Sequence, residues 1–372
     1  MQENMHEKYM KMAIEEAKKG EGFTSPNPLV GAVIVKDGKV IGIGYHKKYG
    51  ENHAEINAFL DAKEKGENVE DADIYVTLEP CSHYGKTPPC ADAIIKNKLK
   101  RVIIGCVDSN PKVAGNGIKK LKDAGIEVIV NVLEEECRKL NEVFFYYIAN
   151  KRPFVVMKYA MTMDGKIATV SGKSKWITSE KTREHSHRFR NKYSAIMVGI
   201  NTVIEDNPTL NCRLQNTRNP IRIILDSSLK IDLNSNICKT AKEIKTFIAT
   251  VSNDDKKIKE LESFGIEIIK TENDNGKVSL NDLMRILGEE KNIDSVYVEG
   301  GATLHASLLK EKLVNKALIY IAPKIFGGSK AKTPIGGEGI DDPDNAVKLT
   351  EGSITKIEDD LFLEYYINIE NK

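Results

Sequence analysis

The sequence predicts two consecutive α/β domains. Three observations lead there: a length of 372 residues, short apolar runs alternating with amphipathic stretches in both halves, and a break at residues 148–153. A chain this long exceeds one ordinary core, and strands alternating with helices indicate layered α/β domains. Pro153 biases its predecessor toward extended backbone and starts a new strand. Residues 1–150 are therefore expected to form one domain and 151–372 the other.

Residues 1–19 read as an amphipathic helix rich in Lys and Glu, not as a leader peptide. Apolar runs at 28–35 and 40–45 flank Asp37-Gly38, a hairpin signal. A helix is expected over 53–65, a strand over 74–78, a helix over 91–97, a strand over 101–107, a helix over 117–124 and a strand over 126–132. Beyond Pro153, strands are expected at 154–159, 195–198, 221–225, 246–249, 266–269, 295–298, 317–322 and 361–367. Residues 252–259 and 272–277 look like polar surface segments.

Hydrophobic residues make up 41% and charged residues 29%, the profile of a soluble globular protein. A net charge of +1 argues against a broad nucleic-acid footprint. No apolar run is long enough for a transmembrane helix. Six cysteines in this length are too few for a disulfide framework, so metal or catalytic roles are the better reading for some of them, and a cytoplasmic location is expected.

Three of the chemistry-bearing side chains fall at element ends. His53-Ala54-Glu55 opens one helix, Pro80-Cys81 ends a strand, and Cys90 follows Pro88-Pro89 to open another helix. Zinc takes N and S donors, and a catalytic site keeps three protein ligands and one open position. His53, Cys81 and Cys90 supply three. Zinc brings the pKa of a bound water down to about 7, and a helix start favours the thiolate that zinc requires. Glu55 is then free to take a proton from water and return protons to the ring nitrogen and leaving ammonia. Residues two apart do not share a helix face, so His53 and Glu55 converge only if the metal lies close to the helix start. The set matches the signature of zinc deaminases. A closed structural zinc would need a fourth ligand, for which His83 is the nearby candidate.

The stretch Tyr75-Val76-Thr77-Leu78-Glu79-Pro80-Cys81-Ser82-His83-Tyr84-Gly85-Lys86-Thr87-Pro88-Pro89-Cys90 resembles the bifunctional riboflavin-biosynthesis deaminase–reductase family. Eight residues separate its two cysteines, the spacing of that family, where most nucleoside and nucleic-acid deaminases have two. The resemblance implies a cytidine-deaminase-like α/β/α first domain that deaminates 2,5-diamino-6-(5-phosphoribosylamino)pyrimidin-4-one. It places Asn27, His46, His83, Lys86, Asp108 and Asn110 around that substrate. His83 and Lys86 lie in the longer inter-cysteine loop, where polar and cationic groups suit a phosphorylated ligand.

In the second half, the junction Glu299-Gly300-Gly301-Ala302-Thr303 leads from a strand into a helix, an arrangement that presents backbone N–H groups to phosphate. There is no G-x-G-x-x-G run, and Gly42-Ile43-Gly44 sits in the hairpin. The segments Met157-Lys158-Tyr159-Ala160 to Ala168, Ser174-Lys175-Trp176-Ile177-Thr178 and Gly199-Ile200-Asn201-Thr202-Val203 to Pro208 are similar to the family's reductase half. That likeness implies a dihydrofolate-reductase-like fold that uses NADPH to reduce the ribose to a ribityl chain. It implies NADPH contacts at Ala160, Trp176, Thr202, Asp206, Ser227, Gly301, Ala302, Thr303, Leu304, His305, Ala306 and Ser307. It implies substrate contacts at Ser174, Arg190, Leu210, Arg213 and Glu299, with Lys158 near the reacting sugar. Arg190 and Arg213 are suited to grip the ribose phosphate bidentately. Trp176 offers a flat face to the cofactor, unless it is core.

His185 and His187 read as part of a solvated basic helix face, and Cys106, Cys137, Cys212 and Cys238 as ordinary thiols. The expected partners are small phosphorylated pyrimidines, with no nucleic acid and no membrane, and the family habit implies self-association. The competing enzyme reading is a nucleotide or tRNA adenosine deaminase with an unrelated C-terminal domain. A nucleic-acid-binding module with a structural zinc would leave Glu55 without a task.

Overall fold

Even and odd positions along the N-terminal strands face opposite ways, as the two-residue period of a strand requires. The structure, a computed structural model, describes residues 5–82, 84, 88–108 and 115–367. It divides into two compact units, Met1–Lys151 and Arg152–Lys372.

The first unit runs α1 (Met5–Lys18), β1 (Gly31–Lys36), β2 (Lys39–Tyr45), α2 (Ala54–Glu64), β3 (Asp73–Leu78), α3 (Cys90–Lys96), β4 (Arg101–Cys106), α4 (Asn116–Asp123), β5 (Glu127–Ile129), α5 (Glu134–Leu140) and α6 (Glu142–Asn150). Its sheet has the order β2-β1-β3-β4-β5, with β1 antiparallel to β2 and β3, and β3, β4 and β5 parallel. Ala32, Ile34, Ile74, Val76, Val102 and Ile104 pack toward Ala54 and Ala58 of α2, Ala91 and Ile94 of α3 and Leu121 of α4. Val33, Val35, Tyr75 and Ile103 pack toward Tyr9, Met10, Ala13 and Ile14 of α1 and Cys137 of α5. The result is an α/β/α layering.

Gly44 explains how α2 reaches its place. A Cβ there would lie 2.3 Å from the Ala58 nitrogen, so β2 needs a bare backbone where α2 crosses it. Gly42-Ile43-Gly44 thus serves helix packing, which fits its exclusion as a phosphate loop.

The second unit runs β6 (Phe154–Thr162), α7 (Glu180–Lys192), β7 (Ala195–Gly199), α8 (Ile200–Asp206), β8 (Ile221–Leu225), α9 (Asn236–Lys239), β9 (Thr246–Thr250), α10 (Asp255–Ser263), β10 (Ile266–Lys270), the small hairpin β11 (Asn273–Asp274) and β12 (Lys277–Val278), α11 (Leu280–Arg285), β13 (Ser295–Val298), α12 (Ala302–Lys310), β14 (Lys316–Ala322), β15 (Leu349–Ile357) and β16 (Asp360–Ile367). Its main sheet has the order β10-β9-β8-β7-β13-β6-β14-β16-β15. All pairs from β10 to β14 are parallel, and β16 and β15 close the edge antiparallel. One apolar cluster joins Val155, Met157, Ala195, Met197, Val296 and Val298 to Leu283, Met284 and Leu308. An aromatic cluster of Phe189, Tyr193, Tyr297, Tyr320 and Phe362 lies under α7.

Several sequence expectations are corrected. The strand expected over 126–132 is confined to Glu127–Ile129. The segment read as polar surface over 252–259 has no buried residue, as expected, but its residues 255–259 begin a helix, α10, whose one buried side chain, Leu261, lies beyond it. The other polar segment contains the β11–β12 hairpin. Strand β15 had no counterpart in the sequence reading.

Candidate functional site

His53 is the N-cap of α2 and has extended backbone (φ −71°, ψ 167°), while Glu55 lies in the first turn. The chain therefore bends between them, and both side chains reach the same three-dimensional site although they are only two residues apart. His53 Nδ1 lies 3.3 Å from Cys90 Sγ and 3.6 Å from Cys81 Sγ. The ligand atoms of His53, Cys81 and Cys90 all fall within 4.8 Å of one another. Zn–N and Zn–S bonds at tetrahedral angles give N···S edges of about 3.6 Å, so these donors are spaced and chosen as a zinc site needs.

The Cys90 main-chain N–H donates to Cys81 Sγ at 3.3 Å. The expectation that the start of α3 favours the Cys90 thiolate is thus corrected: that N–H serves Cys81. Hydrogen bonds from Cys90 and His53 push the Cys81 thiol well below its ordinary range, and the bond to Cys81 raises His53. Glu55 is 3% exposed, and burial, then the neighbouring Cys81, lifts its carboxyl to about 7.

The cysteines are set by a residue the sequence reading passed over. Glu79 is buried and accepts N–H groups from Gly115 at 3.0 Å, Gly117 at 2.9 Å and Ile118 at 3.3 Å. It ties the turn before Cys81 to the start of α4. A Cβ on Gly117 would lie 2.1 Å from the Pro80 carbonyl oxygen, so a side chain there would displace the same turn.

Asn27 and His46 come together beside the metal ligands. Asn27 Nδ2 meets His46 Nε2 at 3.2 Å, His46 Nδ1 meets the Asn52 carbonyl at 3.0 Å, and the His46 and His53 rings stand edge-on at 5.4 Å. Burial lowers the His46 pKa, which suits an imidazole that donates once and accepts once. Asp108 is buried just after β4. His83, Lys86 and Asn110 lie outside the described residues.

In the second unit the named residues gather at the carboxyl ends of parallel strands, where ligands of open α/β sheets bind. Lys158 and Ala160 lie on β6, Thr202 and Asp206 on α8 after β7, Ser227 after β8, Glu299 after β13, and Gly301 is the N-cap of α12. Trp176 is 58% exposed, which removes the core reading, and Arg183 stacks 4.3 Å from its ring centre. Lys175 reaches Asp206 at 3.7 Å, linking the Ser174–Trp176 loop to α8. Ser227 Oγ accepts the Val278 N–H at 3.1 Å.

Arg190 departs from expectation. Its guanidinium donates from Nε and Nη2 to the two Glu299 oxygens, and from Nη1 to the Asn211 carbonyl at 2.8 Å. Its bidentate face is used inside the protein, so it does not offer a fork to phosphate. Burial alone would raise the Glu299 carboxyl, but Arg190 and Lys158 hold it at about 2. Arg213 is exposed, with no side-chain partner among the described residues. Leu210 is buried at φ 53°.

The two histidines assigned to a solvated face are also corrected. His187 is 5% exposed, and its Nδ1 accepts the Arg213 N–H at 3.3 Å. His185 packs between Phe189, Tyr320 and Phe362, with Nδ1 at 3.0 Å from the Tyr320 hydroxyl. The available signal was spacing: His187 and Arg190 are three apart and share one face of α7. Cys106, Cys137 and Cys238 are buried free thiols, and Cys212 donates from Sγ to the His187 carbonyl.

As a fit to a nucleotide cofactor, α12 begins at a glycine with no capping side chain, leaving first-turn N–H groups for a phosphate. His305, on the same helix, is 1% exposed; Nδ1 meets the Pro334 carbonyl at 3.0 Å, and Nε2 is a buried atom without a hydrogen-bond partner among the described residues. These features suit a polar ligand at α12.

Fold and sites together define a zinc-binding deaminase domain followed by a reductase domain. Residues 3–106 match the cytidine and deoxycytidylate deaminase zinc-binding region, and residues 153–363 match the RibD C-terminal domain. The riboflavin biosynthesis protein RibD of Actinobacillus pleuropneumoniae is 51% identical over 96% of this chain and 94% of its own length. That of Aquifex aeolicus is 43% identical over 95% and 96%. Among solved structures, RibD of Acinetobacter baumannii (form 1) superposes with a TM-score of 0.88 at 34% identity, covering 98% of this chain and 99% of that one. The Thermotoga maritima diaminohydroxyphosphoribosylaminopyrimidine deaminase/5-amino-6-(5-phosphoribosylamino)uracil reductase gives 0.84 at 41%, with the same coverage.

The chain belongs to the RibD family of riboflavin biosynthesis proteins. It is a bifunctional enzyme, with Zn²⁺ for the deaminase and NADPH for the reductase. The reading with an unrelated C-terminal domain is set aside by the match over residues 153–363.

Proposed function

We propose that the unit ending at Lys151 deaminates 2,5-diamino-6-(5-phosphoribosylamino)pyrimidin-4-one and that the unit from Arg152 reduces the ribose of the product. The observation that carries the first half is the gathering of His53, Cys81 and Cys90 with buried Glu55 alongside. Held by those three, Zn²⁺ supplies Lewis acidity that brings a water near neutrality within reach of ionisation. Glu55 takes a proton from the attacking water and returns protons to the ring nitrogen and leaving ammonia, work suited to a carboxyl whose proton affinity burial has raised. Asn27 and His46, joined to each other beside His53, hold the ring, and Asp108, His83, Lys86 and Asn110 complete that pocket.

In the reductase, NADPH brings the hydride and the protein positions it. Gly301–Ser307, Ala160, Trp176, Thr202, Asp206 and Ser227 hold the cofactor, and Ser174, Leu210, Arg213 and Glu299 hold the substrate with Lys158 at the sugar. Arg213, not Arg190, supplies the guanidinium for the ribose phosphate. Arg190 fixes Glu299 and Asn211 from behind. Lys158 is half-buried 3.8 Å from Glu299, and its desolvation lowers its pKa.

Self-association is supported by β15, an edge strand with Ile354 64% exposed. The balanced charge supports small molecules rather than nucleic acid as partners, and no helix of the described residues is long and apolar enough to cross a membrane. A cytoplasmic site of action accords with that. Purified protein with zinc and NADPH should convert the diaminopyrimidine phosphate to its deaminated ribityl product. Release of ammonia with no NADPH oxidation would remove the reductase assignment.

A further inference from the structure

Resting on the reading of Arg213 as the phosphate-binding arginine, we infer that His187 is a positioning residue of the reductase, whose neutral imidazole holds the Arg213 main chain and so sets the affinity for phosphorylated substrate. The loop over residues 209–213 has no regular secondary structure. It includes a buried leucine, Leu210, in the left-handed region at φ 53°. A bulky side chain in that conformation costs free energy and persists only where the surroundings over-determine it.

The surroundings do so residue by residue. Arg222 Nη1 donates to the Thr209 carbonyl at 3.0 Å, and Arg190 Nη1 to that of Asn211 at 2.8 Å. The Cys212 N–H is taken by Asn219 Oδ1 at 3.0 Å. The last two points come from one residue of α7: the His187 carbonyl accepts Cys212 Sγ, and His187 Nδ1 accepts the Arg213 N–H, each at 3.3 Å. Arg222 and Arg190 hold the loop upstream of Arg213, and His187 alone meets Arg213 itself among the described residues.

An imidazole nitrogen that accepts an N–H carries no proton, so this contact requires the neutral ring with its proton on Nε2. Of the groups facing it, Arg190 from its own helix, Arg213 from the loop and Lys158 from β6 favour that state, while Glu299 after β13, its carboxylate already bonded to Arg190, opposes it without outweighing them. Burial, then Arg190 and Arg213, lowers the His187 pKa to about 4. At neutral pH the acceptor is therefore in place.

The test is reductase kinetics on the full chain with the deaminated substrate, in its phosphorylated and dephosphorylated forms, for wild type, H187L, H187N and R213A. Asn Oδ1 overlays the position of Nδ1 and keeps an acceptor, whereas leucine removes it. H187L should raise the KM for phosphorylated substrate about tenfold. Its kcat, its KM for NADPH and its KM for the dephosphorylated form should be unchanged. H187N should stay within about twofold of wild type. If R213A raises that KM and H187L does not, the role given to His187 is wrong and the phosphate reading stands. If R213A leaves it unchanged, the phosphate reading itself falls. Should the leucine variant not fold, H187Q carries the same test, because its amide oxygen lies one bond beyond Nδ1. Equal kinetics for H187N and H187Q would overturn the inference.

Discussion

Arg190 and Glu299 meet through both arms of the guanidinium, Nε to Oε1 at 2.7 Å and Nη2 to Oε2 at 2.9 Å, with each side chain only 15% exposed. A bidentate pair this deep fixes two elements at once, α7 and the turn after β13. It also places the Glu299 carboxylate beside Lys158, so the geometry of both groups depends on a guanidinium that faces inward.

Breaking the pair from one side leaves a buried charge alone, which costs about 3–5 kcal/mol. R190M should therefore lower the unfolding free energy of the C-terminal unit by that order, read by denaturant unfolding of the full chain. R190M/E299L should lose less than the sum of the two single variants. Additive losses would mean the pair is not coupled.

Glu79 predicts a second outcome. E79A leaves three main-chain N–H groups of the α4 start without their acceptor, a loss of about 2–4 kcal/mol by the cost of buried unpaired donors and lost caps. Because the same carboxylate holds the turn before Cys81, zinc affinity should fall with stability, measured by metal content after dialysis against a chelator. Full zinc retention in a destabilised variant would separate Glu79 from the metal site.

A third concerns acid. The unfolded chain has an ordinary histidine at position 187, titrating near about 6.5, whereas folding lowers it to about 4. Between those values the unfolded chain binds more protons, so the stabilising contribution is complete above the upper value and lost as pH falls toward the lower one. The melting temperature of the C-terminal unit should drop over that window, and H187N should flatten the drop. An unchanged slope in the variant would assign the acid sensitivity elsewhere.

What was legible in the sequence lay where apolar period and element ends coincide. His53, Cys81 and Cys90 sit at a helix start, after a strand and at the next helix start, and the two-residue period of Val33, Ile34, Tyr75 and Val76 marks both sheet faces. Strand β15 escaped because its residues are exposed on both faces, leaving no apolar alternation to read. Helix α10 escaped because only Leu261 is buried. The contacts that His187 and Arg222 make were unreadable for another reason. Their partners, the Arg213 N–H in one case and Thr209, Ile237, Thr240, Ile244 and Thr246 in the other, come from other parts of the fold. Periodicity describes one element's faces; it does not say what meets them.

The most direct test of the deaminase assignment is ammonia release and zinc content for wild type and E55Q. Glutamine keeps the shape and leaves His53, Cys81 and Cys90 intact, so one zinc per chain should remain while deamination falls by about 10²–10⁴-fold, the scale of a lost general acid–base group. An E55Q protein that holds zinc and releases ammonia at the wild-type rate would contradict the role given to Glu55.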